Sequence, residues 1–119
     1  MGHAEPGHAT PRPLDMATAK AVATTLQALA TPSRLLILAT LQGGPQTVGD
    51  LAQSIDMEAS AVSHQLRLLR NLGLVSSERQ GRHISYQLHD HHVAELIDQA
   101  LFHVEHIRLA TSTRPETQG

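Results

Sequence analysis

The chain contains no cysteine, no tryptophan, and only one tyrosine and one phenylalanine among its 119 residues. Without cysteine it can form neither a disulfide nor a metal site built on thiolate ligands. With so few aromatic side chains it also lacks the stacking platforms on which single-stranded nucleic acids and RNA loops are usually bound. A disulfide-stapled secreted domain and an RNA-binding module are therefore both disfavoured.

Long apolar runs and catalytic signatures are also missing. No stretch approaches the ~18–20 apolar residues that a membrane-crossing helix needs, and the N-terminus has no signal-peptide pattern, so we expect a cytoplasmic protein with no membrane partner. The sequence has no H-E-x-x-H motif and no Gly-rich catalytic loop. A metallohydrolase would require an open metal position and a positioned base. We therefore expect no enzymatic activity and no small-molecule substrate.

Charge is segregated along the chain although the net charge is only −2. Residues 59–85 carry four arginines against the single acidic residue Glu78. Residues 90–106 contain no lysine or arginine but several histidines and carboxylates. The first region suits DNA, whereas the second attracts cations.

The pattern of apolar residues and turn formers predicts one small domain over residues 14–110, between flexible tails at residues 1–13 and 111–119. We predict helices from residue 15 to about 30, from Thr31-Pro32 to the Gly43-Gly44-Pro45 break, over TVGDLAQSI, and over EASAVSHQLRLLRNLG. The alternating runs LVSSER and HISYQL predict a β-hairpin, and residues 92–107 predict a long amphipathic helix. The fold class is mainly α with a small β-hairpin.

Helix, short turn, helix and then hairpin is the order of a winged helix-turn-helix, in which the second helix enters the major groove of DNA. Polar side chains on that helix and arginines flanking the hairpin tip are the predicted contacts to double-stranded DNA. The alternative is that each arginine is an ordinary solvated surface charge. The predicted DNA-binding residues are Ser60, Ser63, His64, Gln65, Arg67, Arg79 and Arg82.

The spacing of the candidate metal ligands in the last predicted helix suits a site shared by two chains better than a site within one chain. His92 and His103 are eleven residues apart, so they point nearly the same way but lie roughly 16 Å apart along the helix, too far for one metal ion. In an antiparallel pair with its two-fold axis near residues 97 and 98, His92 of one chain is level with His103 of the other. Asp90 then approaches His106 of the other chain. The spacing predicts a homodimer with two Asp/His/His/His metal sites along the paired terminal helices.

An alternative for the same residues is structural: Asp90 caps the helix while the histidines are solvated. To act as a ligand, Asp90 must lie at or just before the helix start. Imidazole and carboxylate ligands suit Zn(II), Ni(II) and Co(II) rather than Cu(I), which prefers sulfur.

The stretches LQALATPSRLLIL, DLAQSIDMEASAVSHQLRLLRNLGLV and RQGRHISYQLHD resemble the ArsR/SmtB family of metal-sensing repressors, over residues 14–109. The resemblance implies a homodimer that binds a palindromic operator when metal-free. Metal binding then releases the DNA and derepresses an efflux pump. Where other members of the family carry a cysteine motif on the third helix, this chain reads TVGDLAQS, which sets thiolate-type sensing aside.

Within the family, the opening MGH and the D-x-H…H-x-x-H spacing most resemble members that respond to nickel and cobalt. Four ligands would suit tetrahedral Zn(II), whereas Ni(II) favours a higher coordination number. The resemblance implies that the extra donors come from the N-terminal tail, here the α-amine of Gly2 and the side chain of His3. Ni(II) or Co(II) is the predicted regulatory ligand, with Zn(II) as the alternative.

Overall fold

The computed structural model describes residues 13–113, with side chains up to residue 110. Within that range the backbone forms five helices and a three-stranded antiparallel sheet, and the fold is mainly helical as predicted. The elements in chain order are α1 (Met16–Ala28), α2 (Pro32–Leu41), β1 (Gln46–Thr47), α3 (Val48–Ile55), α4 (Ala59–Asn71), β2 (Val75–Gln80), β3 (His83–Leu88) and α5 (His91–Thr113).

The first three helices begin at side chains that accept hydrogen bonds from otherwise unpaired backbone amides. Asp15 accepts from the Thr18 amide at 2.8 Å at the start of α1. Thr31 caps α2, where Pro32 occupies the first turn. Thr47 caps α3 by accepting from the Asp50 amide at 3.1 Å. These local signals explain why the predicted helix starts are confirmed.

The turn between α3 and α4 is fixed by backbone geometry. Asp56 adopts a left-handed conformation with φ of 58°, which asparagine and aspartate tolerate better than most residues. The Met57 amide donates to the Ala52 carbonyl at 3.0 Å and closes the turn. Gly73, with φ of 77°, terminates α4 before the chain enters the hairpin. Helix, turn and helix thereby hold one relative orientation.

Strands β2 and β3 form the predicted hairpin, with Gln80 paired to His83 across the two-residue loop of Gly81 and Arg82. Gly81 has φ of 65° and begins the loop, as in a type II′ turn. The third strand was not predicted: β1 pairs with the other edge of β3, with Thr47 opposite Ser85. A two-residue strand has no measurable alternation, and it is stabilised by its partner strand rather than by its own sequence.

The buried core joins the end of α1 with α2, α3, α4, β2 and the first half of α5. Helix α5 contributes only Val93 and Ile97 to it, and each described residue from 98 to 110 is exposed. The helix continues to Thr113, three residues into the segment that we assigned to the C-terminal tail, because nothing before Pro115 prevents helix formation. The buried apolar residues are Ala28, Ile37, Leu38, Leu41, Leu51, Ala52, Val62, Leu66, Leu69, Leu74, Val75, Val93 and Ile97.

In the part of the chain that the structure describes, no helix taken singly has both the length and the apolar character to cross a membrane. Helices α1 and α2 meet that criterion only when taken together, and they are bent by 83° relative to each other.

Candidate DNA-reading surface and metal-binding helix

Helix α4 presents a polar face to solvent. Its buried side is formed by Val62, Leu66 and Leu69, at the three- and four-residue spacing of one helix face. Another face of the helix carries the short hydroxyls, the imidazole and the guanidinium that the sequence predicted as DNA contacts. Of these, Ser60, His64 and Arg67 are exposed and Ser63 is half-buried.

Gln65 differs from the other predicted contacts on α4, because its side-chain oxygen accepts a hydrogen bond from another helix. The Nε–H group of Arg34, on α2, donates to Gln65 Oε1 at 2.7 Å, and both side chains are half-buried. Gln65 lies on the flank of α4 that faces α2. Sequence reasoning gave Arg34 no role, because the contact joins residues 31 positions apart.

The β2–β3 hairpin, which forms the wing, carries two of the predicted DNA-binding arginines at its tip. Arg82 occupies the two-residue loop, and Arg79 donates to the Gly81 carbonyl at 3.3 Å, which braces the turn. Both guanidinium groups lie on an exposed part of the hairpin. Behind the tip, a cleft of about 470 Å³ separates the wing from the start of α3 and from α4; its lining residues are Thr47, Val48, Gly49, Ser63, Arg82, His83, Ile84 and Tyr86.

A further arginine, which sequence reasoning counted only as charge, links α4 to the wing. Arg70 donates from Nη1 to Ser77 Oγ on β2 at 3.2 Å. On the solvent side of the same helix, Arg67 approaches Ser63 Oγ at 3.4 Å. The reading helix and the wing are therefore tied together by side chains as well as by the tight turn at Gly73.

Asp90 occupies the position that the ligand hypothesis required, immediately before the first residue of α5. Its Oδ1 accepts hydrogen bonds from the amides of His92 at 3.0 Å and Val93 at 3.3 Å. Its Oδ2 lies 3.5 Å from His92 Nδ1. The Asp90 side chain thus caps α5 and also lies close to the His92 ring. Partial desolvation raises the pKa of the Asp90 carboxyl, but the hydrogen bonds with His92 and Val93 outweigh it, so this pKa lies below its ordinary value.

His103 and His106 lie one turn apart on the exposed half of α5. The ring of Phe102 stacks on His106 with centroids 6.2 Å apart and an interplanar angle of 21°. Within the described residues, no three histidine, aspartate or glutamate side chains converge as a metal site. The two halves of the predicted ligand set, Asp90 with His92 and His103 with His106, are therefore separated along one helix.

A wide apolar surface lies beside these histidines. Helices α2 and α5 border a groove of about 480 Å³, and α5 continues beyond it with exposed apolar side chains. Leu101 and Val104 are 54% and 53% exposed although both belong to the apolar stripe. The groove is lined by Pro32, Leu35, Leu36, Ala39, Ile97, Ala100, Leu101 and Val104.

Two predicted ligands, Gly2 and His3, lie outside the described residues, as do the rest of residues 1–12 and residues 114–119.

The helix-turn-helix, the exposed polar face of α4 and the arginine-tipped hairpin together define a winged helix-turn-helix protein. Residues 31–77 match the family described as bacterial regulatory protein, arsR family. A curated relative, the HTH-type transcriptional regulator NmtR of Mycobacterium tuberculosis, is 58% identical over 120 aligned residues, which cover 100% of both chains. The chain therefore belongs to the ArsR family of transcriptional regulators.

Solved structures give the same result. The solution structure of apo-NmtR matches with a TM-score of 0.69 and 60% identity, over 88% of this chain and 89% of that one. The homodimeric winged helix-turn-helix DNA-binding domain of a protein from Mycobacterium bovis, described as a possible ArsR-family transcriptional regulator, matches with a TM-score of 0.70 and 32% identity, over 76% and 87% of the two chains. The predicted fold is confirmed, and the relatives are regulators rather than enzymes.

Proposed function

We propose that this chain is a metal-responsive repressor that binds a palindromic operator as an apo homodimer and releases it when Ni(II) or Co(II) binds. Release would derepress a metal-efflux system. The observation that carries the proposal is the division of α5 into two ligand pairs, Asp90 with His92 and His103 with His106, beside an uncovered apolar surface. The donor set consists of imidazole nitrogens and a carboxylate, which are suitable ligands for these divalent ions.

The apolar surface supports the dimer. Thirteen consecutive exposed residues, 98–110, form the second half of a 23-residue helix, which is about 35 Å long and gains little from burial in one chain. A second copy lying antiparallel on the α2–α5 groove would cover Leu101 and Val104. The same arrangement makes His92 of one chain level with His103 of the other, and so completes both ligand sets.

DNA binding is assigned to the exposed side chains of α4 and the wing, namely Ser60, Ser63, His64, Arg67, Arg79 and Arg82. Two symmetric reading helices would recognise two half-sites about one helical turn apart, or a multiple of it. Metal held between the α5 helices would favour one spacing of the two reading helices and disfavour the spacing that DNA requires. By linkage, DNA weakens metal binding by the same factor.

Ni(II) favours more ligands than the four side chains of α5 supply, and we propose that Gly2 and His3 of the N-terminal tail add them. Zn(II) is the second candidate, because Asp90, His92, His103 and His106 alone form a tetrahedral set. The two candidates differ in their dependence on the tail. Coordination number from X-ray absorption of the Ni(II), Co(II) and Zn(II) forms, measured beside DNA affinity for each, distinguishes them.

Complementation between chains tests whether each site is shared. His92→Ala and His103→Ala should each abolish metal-driven release of a duplex selected by the wild-type protein, with DNA binding by the metal-free protein retained. A mixed dimer of the two variants has one doubly defective site and one intact site. After unfolding and joint refolding in equal amounts, random pairing should restore about a quarter of the wild-type sites.

His89→Ala is the matched control, because this exposed histidine belongs to neither ligand pair. It should respond to metal like the wild type. If the mixed sample regained no metal sites although the dimers had exchanged, the shared site would be wrong. If the wild-type protein selected no duplex from a random library, the repressor assignment itself would be wrong.

A further inference from the structure

The hydrogen bond between Arg34 and Gln65 joins α2, which lies outside the helix-turn-helix unit, to the helix that reads DNA. The Arg34 Nε–H group donates to Gln65 Oε1 at 2.7 Å, between half-buried side chains. Because a guanidinium only donates, the contact also fixes which end of the Gln65 amide faces α2. The Nε2 amide group of Gln65 then points away from the Arg34 Nε–H group.

The position of Gln65 on α4 separates it from the DNA-facing side chains. Ala61, Gln65 and Leu68 are all half-buried and lie at the four- and three-residue spacing of one flank. The neighbours of Gln65 one turn away are the buried Val62 and Leu69 and the half-buried Ala61 and Leu68, not the exposed His64 and Arg67.

Arg34 is itself held in place by its helix. It is the third residue of α2, after Pro32, and its backbone amide donates to the capping hydroxyl of Thr31 at 3.3 Å. A charged donor in a half-buried position makes a stronger hydrogen bond than a neutral one. The start of α2 therefore provides a rigid base for a contact to the reading helix.

We propose that Arg34 and Gln65 form a positioning pair that sets the orientation of α4 in the major groove, so that Gln65 acts in DNA specificity without contacting a base. Base contacts require side chains to be held within about 0.5 Å of their productive positions. Contacts to phosphate, which carry no sequence information, tolerate a small rotation of the helix better. The pair should therefore affect sequence discrimination more than general affinity for DNA. The inference rests on the DNA-binding role proposed above.

The test uses full-length metal-free protein and two duplexes of equal length: one selected by the wild type from a random library, and one unselected. Gln65→Met, which keeps the length of the side chain but removes the acceptor, should lower the ratio of the two affinities about tenfold, as expected for one lost hydrogen bond to a charged donor. Gln65→Glu keeps an acceptor for Arg34 and should retain the ratio. Gln27→Met, at an exposed glutamine of α1, is the matched control.

Arg34→Met separates positioning from direct contact. It should lower the ratio as much as Gln65→Met does, and the double variant should lose no more than either single variant. A ratio preserved in Arg34→Met but lost in Gln65→Met would show that Gln65 reads a base, and would overturn the proposal. An equal loss on both duplexes, with the salt slope reduced by about one, would show that Arg34 binds a phosphate and would overturn it too.

Far-UV circular dichroism of each variant checks that the overall helix content is retained. If a methionine variant fails to fold, loss of the affinity ratio in Gln65→Glu would still overturn the proposal. A wild-type ratio in every variant would refute the positioning pair alone. Failure of the wild-type protein to bind any duplex would instead refute the proposed function.

Discussion

Gln42, at the end of α2, donates from Nε2 to Asp98 Oδ1 at 3.0 Å and to the Ala94 carbonyl at 3.1 Å. The residue thus joins the last turn of α2 to the middle of the helix that carries the proposed metal ligands. Since α2 contacts the reading helix through Arg34 at its other end, both ends of α2 are fixed to functional elements. Motion of α5 relative to the core has a direct route to α4 through this helix.

Replacing Gln42 with methionine should weaken the response to metal more than it weakens the fold. The two hydrogen bonds are exposed, so their loss should cost at most about 1 kcal/mol of the free energy of unfolding. Metal-free DNA affinity should stay within a few-fold of wild type, while the factor by which Ni(II) lowers that affinity should shrink. Fluorescence anisotropy of a labelled duplex, with and without metal, measures both. An unchanged metal response would show that Gln42 plays no part in coupling.

Replacing Asp90 with asparagine or alanine should separate its role as a helix cap from its proposed role as a metal ligand. Asparagine caps helices as well as aspartate does but is a poorer metal ligand, so Asp90→Asn should keep the thermal stability of the metal-free protein and lose metal affinity. Asp90→Ala should lower both. Calorimetric unfolding and metal titration of the two variants provide the comparison. Equal metal affinity in Asp90→Asn and the wild type would exclude the carboxylate from the ligand set.

The low pKa of Asp90 predicts a pH dependence of stability. A carboxyl whose pKa is depressed on folding stabilises the folded state above its unfolded-state pKa, near 3.8, and that contribution is lost as the pH falls through the lower folded-state pKa. The melting temperatures of wild type and Asp90→Asn should therefore agree near neutral pH and diverge in this acidic window, where only the wild type loses stability. Matched thermal scans well above and well below it measure the difference. A constant difference would contradict the assignment.

Introducing a charged side chain into the α2–α5 groove should prevent dimerisation. Each dimer would bury two copies of Leu101, whose burial is worth about 1.5–3 kcal/mol apiece, so Leu101→Glu should raise the dimer dissociation constant by more than about 100-fold. Phe102→Glu adds the same charge to an exposed neighbour that does not line the groove, and should leave the dimer intact. Analytical ultracentrifugation over a concentration series decides between them. Dissociation of both variants, or of neither, would place the interface elsewhere.

Removing residues 1–8 should lower nickel affinity and leave zinc affinity near that of the wild type. Ni(II) loses the proposed donors Gly2 and His3, whereas the four ligands on α5 suffice for tetrahedral Zn(II). A His3→Ala variant with the tail in place separates ligand loss from loss of the segment. Competition titrations with a coloured chelator give both affinities. An equal change for the two metals would refute the role of the tail.

The sequence predicted the features that local chemistry controls. Thr31-Pro32 and Thr47 mark helix starts because capping depends on a few neighbouring atoms. The hairpin followed from alternation on both sides of Gly81. The placement of Asp90 immediately before α5 was required by the ligand hypothesis and is what the structure has. In each case the necessary information lies within one or two turns of the residue.

Features that depend on packing between distant segments were missed. The hydrogen bond of Gln65 with Arg34 joins residues 31 positions apart, and helical spacing alone cannot tell a flank facing α2 from one facing solvent. Strand β1 depends on its pairing with Tyr86 and Ser85, about 40 residues later. Gln42 carries no motif, and its contact with Asp98 spans 56 positions. Such contacts are defined only after the helices have packed.

If two copies pair through the protruding half of α5, as proposed, the quantity of protein in the cell becomes a control parameter. If complete metal sites and two-fold DNA recognition both require the dimer, dilution below the dimer dissociation constant abolishes metal sensing and operator binding together. Near that threshold, changes in the abundance of the protein would alter operator occupancy as well as the response to metal.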